Sequence, residues 1–249
     1  MVKIKLNVDK THMMILGTKQ RLNKYDKSDS VISIQFDGTA IDRVYSTKCL
    51  GVIIDDKLLW HDHVDYVCKK VCAAIAVFKR AKPYIDLATS KIIYNCIIQS
   101  KIDYCCEVWG LRLLTQTSQV TKLQKRAVRI ILETNYFTPS IQLFNRLDML
   151  SYEKRVMYFR CIFVYKCLNN LSSDFFQNKF QYISEVHNLN TRSAANQNLS
   201  IPKCKTDYLK HSFIYSAIKV FNSIPVTIKS LPTISAYKKA LKSYLMSTL

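Results

Sequence analysis

The spacing of apolar positions changes once along this chain. Up to about residue 56 they form short runs or alternate with polar ones, as strands require; from Trp60 onward they recur every three or four residues, as helices require. His12-Met13-Met14-Ile15-Leu16 is a short apolar run ended by Gly17, and residues 19–30 are polar and predict a loop. Val31-Ile32-Ser33-Ile34-Gln35-Phe36 alternates and runs into Asp37-Gly38, a hairpin signal because glycine supplies positive φ at no steric cost. Ile41 to Tyr45 then predicts the return strand and Cys49 to Ile54 a third, giving one small antiparallel sheet.

In the helical part, Val64, Val67, Cys68, Val71, Ile75 and Phe78 form one stripe. Asp62 and Asp65 suit the positive start of that helix, Lys79, Arg80 and Lys82 suit its negative end, and Pro83 stops it. Further helices are predicted over roughly 86–105 and 117–133, followed by a short one opened by Pro139. Ser151 is placed as the cap of a long fifth helix with Tyr152, Val156, Phe159, Phe163 and Cys167 on its inner face. Residues 185–207, rich in Asn, Ser and Thr and without a period, predict a loop. Two last helices span roughly 207–222 and 233–247, the second setting Tyr237, Leu241, Tyr244 and Leu245 opposite Lys238, Lys239 and Lys242. The expected fold class is mainly α with a small N-terminal antiparallel β segment (α+β). Three regions are expected: β at 1–56, helical at 57–133, and a helical C-terminal region at 134–249 with its loop at 185–207.

Composition adds two constraints. A chain of 249 residues that is 49% apolar with only four Gly and five Pro reads as folded and helix-rich. The 37 basic and 18 acidic side chains give a net charge of +19. That excess is the footprint of a polyanion partner, since neutralising phosphates releases condensed counterions; a generally basic surface is the plainer alternative. No apolar run approaches the ~18 residues needed to span a bilayer, so no membrane partner is expected. The first twenty residues hold no signal-peptide core, so an intracellular setting, nucleus or cytoplasm, is expected, with the nine cysteines reduced.

Leu6-Asn7-Val8-Asp9-Lys10-Thr11 is followed about forty residues later by Cys49-Leu50-Gly51-Val52-Ile53-Ile54-Asp55. This ordered pair resembles the LNxxKT box that closes the palm, and the YLGVxxD primer-grip strand, of LINE-type (non-long-terminal-repeat) retrotransposon reverse transcriptases, jockey-like elements especially. Trp60, Ile102-Asp103-Tyr104 and Val108-Trp109-Gly110 resemble the family's thumb, and Leu123-Gln124-Lys125-Arg126-Ala127-Val128-Arg129 its LQKRAxR helix. Thr191-Arg192-Ser193, Phe221-Asn222-Ser223-Ile224-Pro225 and Tyr237-Lys238-Lys239-Ala240-Leu241-Lys242 resemble its C-terminal tail. Cys49 and Phe221 stand where the family usually has Tyr and Trp.

The resemblance implies a palm remnant with a primer-grip-like Leu50-Gly51-Val52, a thumb and a helical tail. The parent enzyme is an RNA-directed DNA polymerase that uses magnesium in two-metal nucleotidyl transfer. Its metal-binding Phe/Tyr-Ala-Asp-Asp box lies before LNxxKT, whereas Met1 stands five residues before Leu6. The chain therefore reads as the back half of a polymerase, with no cofactor and no polymerase activity of its own. Expected partners are RNA, DNA or an RNA–DNA hybrid, and the missing polymerase half. A protein-interaction module or an unconstrained relic is the rival reading, because a palm fragment exposes edges and apolar surface.

Four candidate chemistries follow. Ile53-Ile54-Asp55-Asp56 imitates a catalytic carboxylate pair, but it lies after LNxxKT and lacks an upstream partner strand, so a strand end and turn are expected there. The resemblance sets Lys10 near an incoming nucleotide, where a lysine neutralises triphosphate charge; without metal-binding carboxylates a solvated lysine is the plainer reading. Lys122, Lys125, Arg126 and Arg129 make a cationic ridge, with Val120, Leu123, Ala127 and Ile130 expected to face inward; Lys69, Lys70, Lys79, Arg80 and Lys82 make a second cluster. Both suit phosphate tracking without sequence readout. His61, His63, Cys68 and Cys72 are of zinc-binding type, but no CxxC pair exists and Cys68 and Cys72 fit the buried stripe better, so no metal is expected. Cys105-Cys106 also reads as core.

Overall fold

The computed structural model describes Asn7, residues 10–27, 32–36, 38–110, 114–187, Leu189 and 191–248, the side chains of 114–117, Gln177 and Asp207 excepted. Leu6, Val8 and Asp9 of the first motif, and Val31 and Asp37 of the expected hairpin, lie outside the described residues. The chain is mainly helical with a small β segment, and it divides into two compact units, Met1–Tyr66 and Val67–Leu249.

The first unit holds two separate hairpins instead of one three-stranded sheet. Strands β1 (Gln35–Phe36) and β2 (Thr39–Ala40) pair around Gly38, whose φ is +76°. The return strand is thus shorter and earlier than Ile41 to Tyr45. Residues 41–45 instead meet the 12–16 run, Val44 N–H donating to Met13 O at 2.8 Å. Strands β3 (Ser46–Cys49) and β4 (Val52–Asp55) pair through a two-residue loop with φ of +45° at Leu50 and +86° at Gly51. Two positive φ values are what so tight a hairpin needs. The sequence hid β3 because Ser46-Thr47-Lys48-Cys49 is mostly exposed and carries no alternation.

Residues 19–30 also depart from expectation: α1 (Lys19–Asp26) lies where a loop was predicted. Thr18 caps it by accepting from Arg21 N–H, and Leu22 is its one buried residue, too little to produce an apolar period. Helix α2 (His61–Ala81) begins in this unit. Its His63 is buried, and the Nδ1 atom accepts a hydrogen bond from Ile53 N–H at 3.2 Å.

In the second unit, Val71, Ile75 and Phe78 of α2 are buried as the stripe predicts, but Cys72 is exposed and Cys68 only half-buried. A 3-10 turn, Lys82–Tyr84, carries Pro83. Next comes one continuous helical rod: α3 (Leu87–Ile93), a π-turn segment Tyr94–Gln99, and α4 (Ser100–Asp103). Asp86 caps it, accepting from Thr89 N–H at 2.9 Å. Cys105, in the left-handed region at φ +52° and half-buried, redirects the chain into α5 (Cys106–Trp109). Helices α6 (Leu114–Leu132), α7 (Ser140–Leu147) and α8 (Tyr152–Leu168) follow.

Helix α8 is the spine of this unit. It is buried at Tyr152, Val156, Arg160, Val164 and Tyr165, and α4, α5 and α6 pack against it. Having neighbours on several sides, it has no single inner face, which is why Phe159 and Phe163 are only half-buried. Ser151 occupies the cap position without a side-chain cap bond. Gly110 closes the α5 end against the spine: a Cβ there would meet Cys106 O at 2.5 Å and Val156 Cγ2 at 2.8 Å.

Short helices α9 (Asp174–Gln177), α10 (Ile183–Val186), α11 (Arg192–Ala195) and α12 (Asp207–Lys210) lead to α13 (Phe213–Asn222), α14 (Val226–Lys229) and α15 (Ile234–Ser247). The 185–207 stretch is therefore not all loop. Thr191 caps α11, and Asn222 both accepts from Leu199 N–H at 2.8 Å and donates to Leu199 O at 2.9 Å. Asn222, at the end of α13, thus pins the buried Leu199 of that stretch. Helices α13 and α15 pack on α8, where Tyr165 and Tyr237 stack with centroids 4.2 Å apart. Among the described residues no helix is long and apolar enough to cross a membrane.

Burial pushes the His63 pKa down to about 4 from 6.5. The unfolded chain therefore takes up a proton that the folded one refuses, and stability is lost as pH falls from 6.5 towards 4, by on the order of 2 kcal/mol. An NMR titration of the His63 ring checks this; ionisation near 6.5 in the folded protein would show the account to be wrong.

Candidate nucleic-acid interface

The orientation of α6 is set by one buried polar side chain. Gln124 is fully buried, and its Nε2 donates to Gln99 Oε1 and to Leu150 O, both at 3.2 Å. The Tyr94 hydroxyl donates to the same Gln99 oxygen, and Gln99 Nε2 donates to Asp103 Oδ1 at 2.7 Å. Tyr94 and Gln99 are five residues apart, which in an α-helix would point them about 140° away from each other. The π segment, with its wider turn, brings them together. Asp103 in turn accepts both Nε and Nη2 of Arg155 on α8.

With Gln124 inward, the buried face of α6 is Val120, Gln124, Ala127, Val128 and Ile131. This corrects the sequence reading at two positions: Leu123 and Ile130 are half-buried and line a groove instead of entering the core. That groove, of about 980 Å³, carries Lys79 and Lys82 from the end of α2 and its following turn, and Lys122, Lys125, Arg126 and Arg129 from α6. Pro83, Leu123 and Ile130 supply apolar lining between the cations. The four cations of the α6 ridge thus meet Lys79 and Lys82 of the second cluster on one concave surface, which the sequence alone could not place together.

The far end of the groove is built by the loop after α6. Glu133 sits at φ +52° and pairs with Lys82 at 2.6 Å. Arg129 lies over the Tyr136 ring, 5.2 Å from its centroid, and donates through Nη2 to Thr138 O at 3.4 Å. Its Nε has no hydrogen-bond partner among the described residues. Tyr136 and Phe137 are 78% and 87% exposed and meet edge to face. Asn135 Oδ1 accepts from Phe137 N–H at 3.0 Å, which steadies the loop. Among fifteen tyrosines and eleven phenylalanines that could include base-stacking platforms, most of them at helical spacing and expected in the core, the sequence does not single these two out; their signal is adjacency outside any helical period.

The other candidates lie elsewhere. Lys69, Lys70 and Arg80 are exposed on α2 but do not line the groove, the two lysines being about two turns or more back along the helix. Lys10 belongs to the first unit; it is exposed, in a turn where its N–H donates to Asn7 O at 3.2 Å. Leu50, Gly51 and Val52 form the β3–β4 loop and the start of β4, with Leu50 87% exposed and Val52 buried. Asp55 accepts from Leu59 N–H and Trp60 N–H, each at 2.8 Å, and Asp56 is buried beside Lys57 at 3.3 Å. Both carboxylates build the turn into α2. His61 is exposed, and no three metal-ligating groups converge among the described residues.

Two curated proteins of Drosophila melanogaster are similar in sequence. A probable RNA-directed DNA polymerase from transposon X-element is 25% identical over 109 residues, 42% of this chain and 12% of the relative. A probable RNA-directed DNA polymerase from transposon BS is 20% identical over 127 residues, 49% of this chain and 14% of the relative. The chain is related to transposon reverse transcriptases. It spans only 12–14% of the length of these curated relatives. No family model matches the sequence, and no solved structure matches it.

Gln124→Leu keeps the side-chain volume and removes the hydrogen bonds that orient α6. It is expected to cost about 1 kcal/mol: Leu150 O loses a buried donor, whereas Gln99 Oε1 keeps the Tyr94 hydroxyl and the partnerless Gln124 Oε1 is removed. Urea unfolding of the two proteins measures the difference; an unchanged midpoint would remove Gln124 from this role.

Proposed function

We propose that this chain is the palm edge, thumb and C-terminal helical part of a LINE-type reverse transcriptase, and that it holds nucleic acid without sequence preference in the α2–α6 groove. The observation that carries this reading is the convergence of six cationic side chains, from α2, the turn after it and α6, on one groove. Rigid helices hold the charges at fixed spacing, as tracking a phosphate backbone requires, and nothing in such a surface reads bases by hydrogen-bond pattern. The relationship to transposon polymerases supports RNA, DNA or their hybrid as the polyanion. On the same reading, residues 57–133 serve as a thumb.

Polymerisation is not a property of these 249 residues alone. Two-metal transfer needs convergent carboxylates at a strand end. The one adjacent pair at a strand end, Asp55-Asp56, is engaged in the turn before Trp60. Primer extension with magnesium and all four nucleotides is therefore expected to give no product. Robust synthesis would overturn this negative claim.

Binding is tested with a labelled RNA template carrying a shorter DNA primer, titrated across a salt series. The logarithm of affinity should fall steeply with that of salt, by about 0.7–0.9 for each phosphate neutralised. Lys79→Ala, Lys122→Ala and Arg126→Ala combined should reduce the slope by about two while leaving the fold intact, because these side chains are exposed. Arg129 is left in place because it also braces the following loop. No binding at low salt, or an unchanged slope in the variant, would favour the protein-interaction reading instead.

A further inference from the structure

We infer that the groove takes a single strand, with the phosphates on its cationic rim and an unpaired base stacked on Tyr136. The inference rests on the nucleic-acid reading of the groove and goes beyond it, because a bare phosphate track would serve a duplex equally well.

Three observations single out an unpaired strand. The groove is apolar between its cations, at Pro83, Leu123 and Ile130, and the lysine stems add to that lining. A duplex hides its base faces in its own stack and offers such a lining nothing, whereas a single strand offers apolar faces beside its phosphates. Next, Tyr136 is a prepared platform. The Arg129 guanidinium lies over the ring, Phe137 meets its edge, and the residue is still 78% exposed. A ring already held in place loses little freedom when a base stacks on it. Finally, the loop is ordered by its own hydrogen bonds: Thr134 N–H donates to Arg129 O at 3.1 Å, and Asn135 Oδ1 accepts from Phe137 N–H.

The placement also gives Arg129 a double part. Its guanidinium supports the ring, and its Nη2 makes only a long bond to Thr138 O, at 3.4 Å, while its Nε is buried and faces away from any guest. The guanidinium's charge favours a phosphate on the strand that carries the stacked base. Every base has a π-face, so a site of this kind is tolerant of sequence and serves RNA and DNA strands alike.

The test measures affinity at one fixed salt concentration for three probes of equal phosphate count. They are a mixed-sequence single strand, the same strand built wholly of abasic nucleotides, and a blunt duplex. The intact protein should bind the base-bearing strand about tenfold more tightly than either other probe. Tyr136→Ala with Phe137→Ala should remove that advantage and leave binding to the abasic strand unchanged, while Tyr136→Phe keeps it. Both residues are exposed, so the fold survives, as a thermal melt will verify. The inference is overturned if the abasic strand or the duplex binds as well as the base-bearing strand. It is also overturned if the double variant weakens all three probes equally. Those results leave the phosphate reading standing. Failure of all three probes to bind would instead remove the nucleic-acid reading itself.

Discussion

The rotation of α6 about its own axis decides what this molecule presents to solvent, and a buried amide fixes that rotation. Gln124 meets Gln99 and the Leu150 carbonyl only when Val120, Ala127, Val128 and Ile131 also face inward. A helix turned by one residue, about 100°, would bring Lys125 to the Gln124 position. Burying an unpaired ammonium is far costlier than leaving a few apolar contacts unmade. The amide therefore selects the register, and apolar packing supplies the bulk of the stability. The partner amide, Gln99, is in reach because the 87–103 rod widens into a π-turn at that point. Local distortion in one helix thus sets the outward face of another.

The same logic runs through the spine helix. Arg155 clasps Asp103 on α4, and the buried Arg160 donates to Glu107 O at 3.0 Å and Gly110 O at 2.7 Å. Burial pulls the Arg160 pKa down, yet its hydrogen bonds to carbonyls at the end of α5 answer part of the desolvation. Trp109 stacks with Tyr152 at 6.0 Å and donates from Nε1 to Tyr104 O at 2.9 Å. Polar side chains inside this unit hold helix ends to one another, while the aromatic and aliphatic residues fill the volume between them.

Much of this was legible in the sequence, and the reasons for the rest are physical. The buried stripe of α2 could be read because a long amphipathic helix repeats its signal many times; α15 likewise announced Tyr237, Leu241 and Leu245. Helix α1 could not, having one buried leucine among polar residues, and β3 could not, being mostly exposed. The cationic residues of α6 were legible as a ridge, but their meeting with Lys79 and Lys82 depends on tertiary packing that no periodicity encodes. Leu123 and Ile130 misled for a related reason: an apolar side chain lining a groove and one in a core look alike in a string of letters. Tyr136 and Phe137 belong to no repeating element, so only their shared exposure beside Arg129 gives them meaning.

Glu133 makes the groove electrically lopsided. It holds Lys82 as an internal counter-ion at one end, while Lys122 and Arg126 lie seven or more residues back along α6, about 10–16 Å away. One end therefore carries unopposed positive charge, while at the other Glu133 cancels Lys82 and leaves Arg129 beside the aromatic pair. Ions in solution weaken the first end more than the second, where stacking supplements a single cation. Any elongated guest meets a gradient from a more to a less salt-sensitive grip, and a gradient gives an otherwise sequence-blind surface a sense of direction.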